Sequence, residues 1–148
     1  CEDAPEGLLV SVGGNVCATG ARPTDGSDWV VGVQDPDGGT DEYLLTVELS
    51  KGSIVSSGDY QRYYTVDGVR YSHIIDPETL YPPTYWRAVS ILVDDSGVGD
   101  ALSTALFCMD QADGQALLDE FGAKAVWIAM DGSLVFSPGF EESVREIV

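Results

Sequence analysis

Short apolar runs that end within a few residues at Gly, Asp, Ser or Pro recur along most of the chain, and they constrain its fold most. Runs of this length between turn residues are typical of β-strands. The dipeptide Asp67-Gly68 between two such runs is a strong signal for a tight hairpin. The predicted strands cover residues 8–12, 29–33, 43–49, 53–57, 61–65, 69–75, 88–93, 125–129 and 134–136.

Two later segments have the apolar periodicity of helices instead. The first is predicted over residues 99–109, and the second over residues 112–121, with Gly122 as its C-terminal residue. Many strands with two late helices predict an α+β fold built on a mostly antiparallel sheet. The 148 residues fit one domain, which is enough chain to bury roughly two thirds of the unfolded surface.

The charge balance excludes several partners. The chain has 25 Asp and Glu against 7 Lys and Arg, a formal net charge of −18. Such a field repels nucleic acid and anionic membrane surfaces, so we expect no nucleic-acid partner. A phosphate compound would need a cation to mediate its contact with this chain, which would imply a metal. No apolar run approaches the roughly 20 residues of a transmembrane helix.

Three cysteines, Cys1, Cys17 and Cys108, lack metal-ligand spacing, and an odd number cannot all pair within one chain. We expect structural thiols, with Cys108 in the core. Cys1 allows another role, because mature bacterial lipoproteins begin with a lipidated cysteine. Against this role, the following residues lead straight into a core strand without a flexible tether, and the N-terminus lacks the features of a signal peptide.

The single histidine, His73, lies in the run from Tyr71 to Pro77, inside a predicted strand that stops at the proline. Histidine can transfer protons near neutral pH, although a lone histidine at a strand end is more often structural. Asp100 and Thr104 lie four apart at the predicted start of a helix and therefore share a face. Their oxygens suit a hard cation such as Mg²⁺, and the Ser103 carbonyl could join them if the helix were locally irregular. An Asp or Ser at this place is more often a helix cap.

Four ordered motifs resemble those of the ApbE family, the FAD:protein FMN transferases. The segment 10–15 is similar to the family's strand and Gly-Gly-Asp/Asn turn, and 56–60 with Arg62 is similar to its Ser-Gly-Asp-Tyr-x-Arg segment. The run 71–77 with Thr79 resembles its His-Ile-Ile-Asp-Pro-x-Thr-Gly signature. The run 100–105 resembles its Asp-Ala-x-Ala/Ser-Thr-Ala metal loop, and Gly139-Phe140 matches near the end.

This resemblance implies an ApbE-like (T-fold-like) architecture and a specific activity. Such an enzyme uses Mg²⁺ and FAD to attach FMN through a phosphoester to a Thr or Ser hydroxyl of an acceptor protein, and it releases AMP. The resemblance implies that Asp100 and Thr104 bind the metal through their side chains and Ser103 through its carbonyl, with His73 as the catalytic base. It assigns flavin-nucleotide binding to Gly13, Gly14, Asn15, Ser57, Gly58, Asp59, His73 and Thr79.

Family enzymes are much longer, so the resemblance identifies residues 1–148 as the C-terminal portion of a single flavin transferase domain. The portion that precedes it in the family carries part of the FAD pocket, a Lys-Gly segment and a further metal ligand. We therefore expect the chain to be inactive alone and to need the missing part, supplied by a second chain or restored to the same one. Two positions depart from the signature, because Glu78 stands where Arg is common and Leu80 where Gly is expected. A residue other than glycine tolerates positive φ poorly.

Two other functions stay open. The chain could be a non-enzymatic domain that binds flavin nucleotide or metal weakly. It could also be an FAD pyrophosphatase, in which water replaces the acceptor hydroxyl. The resemblance further implies an extracytoplasmic enzyme, with anchoring to the membrane as a lipoprotein as an option.

Overall fold

The computed structural model describes residues 5–39 and 41–148, so Cys1, the candidate site of a lipid anchor, lies outside the described residues. The strands are β1 (Leu9–Val12), β2 (Asn15–Ala18), β3 (Trp29–Gln34), β4 (Tyr43–Leu49), β5 (Gly52–Gly58), β6 (Tyr63–Val66), β7 (Val69–Ser72), β8 (Trp86–Val93), β9 (Lys124–Ala129), β10 (Leu134–Phe136) and β11 (Val144–Ile147). The helices are α1 (Ser96–Phe107) and α2 (Gln111–Phe121), and a 3₁₀ turn covers Glu141–Ser143.

The strands form two antiparallel sheets and a separate hairpin. The larger sheet has the order β1-β2-β5-β8-β9-β10, the smaller has the order β11-β4-β3, and β6 pairs only with β7. The two helices follow β8 along the chain. This arrangement confirms the predicted α+β fold. In the described part of the chain, no helix is long and apolar enough to cross a bilayer.

The central strands of the larger sheet, β5, β8 and β9, are buried on both faces, which makes the fold three-layered, whereas the edge strand β1, expected to be a core strand, is mostly exposed. On one face its strands pack against the smaller sheet through Leu45, Val47, Ile54, Val126 and Phe140. On the other face they pack against the helices through Val89, Ile91, Leu102, Phe107 and Trp127. Burial on both faces explains why β8 reads as an almost continuous apolar run without polar alternation.

The first helix begins earlier than its sequence pattern predicted. Asp95 is its N-cap, and the Asp95 carboxylate accepts the N–H groups of Gly97 at 2.8 Å and Val98 at 2.9 Å. Asp100 therefore lies in the second turn, which makes the capping interpretation of Asp100 wrong. The apolar pattern pointed to a later start because the first turn contains two glycines and few apolar side chains.

The strand around His73 ends earlier than predicted, at Ser72. The N–H of Ile74 turns to the hydroxyl of Ser72 at 3.2 Å instead of extending the ladder. His73 thus stands just beyond the hairpin. Two strands were missed altogether: β2 is only four residues long, and β11 is short and mostly exposed. Cys108, predicted in the core, is only half-buried at the end of α1.

Candidate functional site

A cavity of about 690 Å³ opens where the β1–β2 turn, the end of β5, the segment after β7 and helix α1 meet. The fold brings many of the predicted site residues to its walls, although they are far apart in sequence. Those residues are Gly13, Gly14, Asn15, Ser57, His73, Asp100 and Thr104. Gln34, Gln61 and Arg62 also line the cavity. Sequence reasoning assigned them no role, although Arg62 belongs to one of the recognised motifs.

The position of helix α1 against the sheet depends on a glycine and two serines. A Cβ on Gly99 would lie 2.8 Å from the side chains of both Val55 and Val93, so only glycine lets the helix approach this closely. One turn further, the hydroxyls of Ser57 and the fully buried Ser103 share a hydrogen bond of 2.8 Å. These contacts fix the cavity-facing side of α1 relative to β5.

Asp100 and Thr104 are exposed on α1 and face the same cavity, one helical turn apart. The Thr104 hydroxyl donates to the Asp100 carbonyl at 3.1 Å, which leaves its oxygen lone pairs available. A carboxylate and a hydroxyl suit Mg²⁺, which binds one or two protein oxygens and completes its octahedron with water and phosphate. Within residues 5–39 and 41–148, no three His, Cys, Asp or Glu side chains cluster as a metal site.

Ser103 fits this ligand set less well. Its hydroxyl is buried and is used by Ser57 and by the Asp100 carbonyl at 3.1 Å. Helix α1 runs unbroken through this point, so the Ser103 carbonyl is directed to the N–H of Phe107. The local irregularity that would release this carbonyl is absent from helix α1 as the structure describes it.

His73 is held in a defined orientation by the backbone. The register of the β6–β7 hairpin pairs Tyr63 with Ser72, and one more pair follows, in which the His73 N–H donates to the Arg62 carbonyl at 3.0 Å. The ring nitrogen Nδ1 lies 3.1 Å from the same carbonyl oxygen. A carbonyl can only accept, so Nδ1 carries the proton. In the neutral ring Nε2 is then unprotonated and can accept a proton.

Backbone conformation and packing explain why two glycines stand in the turn between β1 and β2. Gly13 adopts a positive φ of 60°, which the tight connection between β1 and β2 requires. A Cβ on Gly14 would come within 2.6 Å of both the Ser56 carbonyl and the Gln61 side chain. Asn15 reaches the Ser96 carbonyl at 3.3 Å and so links the turn to the start of α1. The flavin-binding role of these residues stays a prediction.

Gly58, Asp59 and Thr79 do not line the cavity. The Asp59 carboxylate accepts from Arg87 at 2.8 Å and lies 3.6 Å from Arg70. Arg87 also makes two hydrogen bonds to Asp37, at 2.7 and 2.9 Å. These bonds from Arg87 lower the pKa of the Asp37 carboxyl. Asp59 therefore belongs to an ion-pair network that ties β5 and β8 to the loop after β3.

Thr79 belongs to the turn after His73. Its hydroxyl donates to Asp76 at 3.1 Å, and the Glu78 N–H donates to the other oxygen of the same carboxylate at 2.8 Å. The Glu78 N–H, and then Thr79, lower the pKa of the Asp76 carboxyl. Leu80 closes this turn with a φ of 60°. The backbone at this position therefore has the conformation that favours glycine, although the residue is leucine.

Three ionisable side chains line the cavity within the described part of the chain: Arg62, His73 and Asp100. The cavity thus combines a permanent cation, a proton acceptor and a carboxylate, in a protein whose net charge is strongly negative. This combination suits a ligand that carries phosphate and a metal ion more than an apolar ligand.

Comparison with known proteins identifies the family. The ApbE family model matches residues 2–127. The chain belongs to the ApbE family. It is 39% identical to the FAD:protein FMN transferase of Treponema pallidum, over 96% of this chain and 42% of that protein. It is 35% identical to the FAD:protein FMN transferase of Vibrio cholerae, over 77% of this chain and 34% of that protein.

Solved structures of the family share the fold. The ApbE protein from Thermotoga maritima superposes with a TM-score of 0.85 at 37% identity, over 94% of this chain and 45% of that one. The flavin transferase ApbE from Vibrio cholerae superposes with a TM-score of 0.73 at 29% identity, over 91% and 43%. The chain thus spans less than half the length of these relatives.

Proposed function

We propose that this chain carries the catalytic part of a Mg²⁺-dependent FAD:protein FMN transferase. The observation that carries the proposal is the single cavity lined by Arg62, His73, Asp100 and Thr104. The curated relatives described above are FAD:protein FMN transferases, which supports the same activity. Because the chain spans less than half of their length, the proposal also requires a polypeptide equivalent to their N-terminal part.

The reaction assigns one task to each side chain. A Thr or Ser hydroxyl of the acceptor attacks the FMN phosphorus of FAD, an O–P bond forms, and the pyrophosphate bond breaks to release AMP. His73 Nε2 accepts the proton of the attacking hydroxyl, since Nδ1 is occupied by the Arg62 carbonyl. The Arg62 guanidinium binds phosphate oxygens and offsets the negative field of the protein. Mg²⁺ on Asp100 and Thr104 would neutralise charge on the pyrophosphate.

Mass spectrometry of an acceptor protein tests the activity. We expect FAD, Mg²⁺ and a threonine-containing acceptor to yield an FMN adduct and AMP once the N-terminal portion is supplied, and this chain alone to yield neither. AMP and FMN released without an adduct would indicate FAD pyrophosphatase instead. If the completed protein neither transfers FMN nor releases AMP, the proposal is wrong.

Metal binding can be measured on this chain independently of activity. Titration with Mn²⁺ should broaden the amide NMR signals of residues near Asp100 and Thr104, because a paramagnetic ion relaxes nearby nuclei. Asp100→Asn should abolish this broadening by removing the carboxylate charge. Glu120→Gln, an exposed change on α2, removes the same charge and serves as the control. Equal broadening in wild type and Asp100→Asn would refute the metal assignment.

An extracytoplasmic location with lipidation of Cys1 is part of the same proposal. It rests on the family resemblance, which implies a membrane-anchored lipoprotein as an option. Mass spectrometry of the N-terminal peptide isolated from cell membranes would detect the lipid. An unmodified Cys1 in protein from that fraction would exclude the anchor.

A further inference from the structure

A second cavity, of about 510 Å³, adjoins the first and shares Ile74 and Thr104 with it. We call it the acidic groove, because four carboxylate side chains line it and form what we call its rim: Asp76, Glu78, Asp110 and Asp113. Its floor is apolar and includes Ala101, Ala105 and Met109. Since the shared residues form a common wall, a ligand in the groove lies directly beside the candidate reaction cavity.

The rim carboxylates form no ion pair within residues 5–39 and 41–148. Hydrogen bonds hold two of the carboxylates in place: Asp76 accepts from the Glu78 N–H at 2.8 Å, and Asp110 accepts from the first-turn N–H of Ala112 at 2.9 Å. Glu78 and Asp113 are exposed, and neither belongs to an ion pair within residues 5–39 and 41–148. No Lys, Arg or His of these residues lines the groove.

Apolar side chains at the groove are also exposed. Ile75 is 48% and Tyr85 49% exposed, on either side of the Asp76 turn. Exposed apolar groups beside a concave, charged rim are typical of a surface that contacts another molecule. The four carboxylates repel phosphate, so the groove is unsuited to the nucleotide and to anionic lipid.

We propose that the acidic groove binds the segment of the acceptor protein that flanks the modified hydroxyl. An apolar side chain of this segment packs on the groove floor, and a neighbouring Lys or Arg faces Glu78 and Asp113. This proposal rests on the proposed function, because it takes the occupant to be the acceptor. A cavity of this size holds a few side chains, so the ligand is a short extended segment and not a broad protein surface.

Two synthetic ten-residue peptides test the charge requirement. Both contain one Thr and one Leu, and they differ only in carrying three Lys or three Glu. In calorimetric titrations of this chain we expect the lysine peptide to bind and the glutamate peptide not to bind. Glu78→Lys and Asp113→Lys should each weaken the binding of the lysine peptide by about tenfold, because each variant replaces a negative charge of the rim by a positive one.

Matched variants distinguish an effect of the groove from an effect of the overall negative charge of the protein. Glu120→Lys makes the same charge change at an exposed site elsewhere on α2. Its affinity for the lysine peptide should stay within about twofold of the wild-type value. Asp113 lies in the first turn of α2, where Lys also weakens the helix, so Glu78→Lys provides the test that does not depend on helix stability. Equal weakening by Glu78→Lys and Glu120→Lys, or equal binding of both peptides, would overturn the proposal.

The outcomes for the groove and for the activity are distinguishable. Charge-selective peptide binding that is lost in Glu78→Lys supports the groove even if no FMN is transferred, and the proposed function then fails separately. Transfer of FMN at equal rates to Lys-rich and Glu-rich acceptors overturns the groove and leaves the proposed function intact.

Discussion

Replacing Gly99 with Ala tests how closely helix α1 must approach the sheet. Gly99 is buried in the first half of the helix, and an added methyl would lie 2.8 Å from Val55 and 2.8 Å from Val93. Carbon atoms pack best at about 3.5–4.0 Å, so the helix or the two valines must move by roughly 1 Å. The change therefore reports on the same contact that positions Asp100 and Thr104.

Two opposing effects set the size of the change in stability. Alanine is favoured over glycine in a helix by about 1 kcal/mol. Overpacking a tight core contact costs about 1–3 kcal/mol. The expected net effect is a fall of about 1 kcal/mol in the free energy of unfolding, or about 3 °C in Tm for a chain of this length.

Gly97→Ala, two residues earlier in α1, is the matched control. Gly97 is exposed, and a Cβ there would meet only the Asp95 carboxylate oxygen, at 3.2 Å. Because this oxygen also accepts the Gly97 and Val98 N–H groups, its small displacement offsets part of the helix preference of alanine, and Gly97→Ala should raise stability by less than about 1 kcal/mol. Urea unfolding followed by circular dichroism measures both variants, and Mn²⁺ titration should show weaker binding for Gly99→Ala alone. If Gly99→Ala stabilises the protein as much as Gly97→Ala, the close packing of α1 on β5 does not constrain the site.

Further predictions concern the segment from His73 to Leu80. Because the chain has one histidine, ¹⁵N NMR at pH 8 should show unambiguously that Nδ1 of His73 is protonated and Nε2 is not; the opposite tautomer would contradict the Arg62 contact. Leu80→Gly should raise the free energy of unfolding by about 0.5–1 kcal/mol, since relief of an unfavourable positive φ exceeds the entropic cost of glycine, whereas Leu80→Ala should give no gain. Asp76 has a lowered pKa in the folded state, so its stabilising contribution is present above the unfolded pKa and is lost as pH falls through the folded one. Urea unfolding between pH 7 and pH 3 should therefore depend less on pH in Asp76→Asn, and an unchanged slope would contradict this reasoning.

The sequence predicted strands and helices well where apolar patterns were long. It predicted β4 with its observed bounds and α2 to within one residue, because apolar runs and turn or capping residues delimit both elements. It failed where a local hydrogen bond from a side chain to the backbone decides where an element begins or ends. The end of β7 depends on a Ser72 hydroxyl that captures a backbone N–H, and the start of α1 depends on the Asp95 cap before a glycine-rich turn.

Motifs indicated much of the cavity wall, but they could not separate residues that face the cavity from residues that build it. Asp59 belongs to a recognised motif, yet its carboxylate is used by Arg87 on a neighbouring strand. That partner lies 28 positions away in sequence, and only the β5–β8 pairing reveals it. Arg62 belongs to the same motif and faces the cavity from just before β6, so membership of the motif does not by itself tell the two roles apart.

The Ser57–Ser103 hydrogen bond shows how two motif residues can influence the site without touching a ligand through their hydroxyls. It joins the end of β5 to the middle of α1 at 2.8 Å, in the interior of the protein. Asp100 and Thr104 flank Ser103 on the exposed side of the same helix, so any slip of α1 along β5 moves both of them relative to His73. Removing the Ser103 hydroxyl leaves the Ser57 hydroxyl without this partner, which costs about 1–3 kcal/mol, whereas removing the Ser57 hydroxyl leaves that of Ser103 its bond to the Asp100 carbonyl and costs less. The serines are therefore best understood as the contact that keeps the carboxylate on α1 in register with the proton acceptor beyond β7.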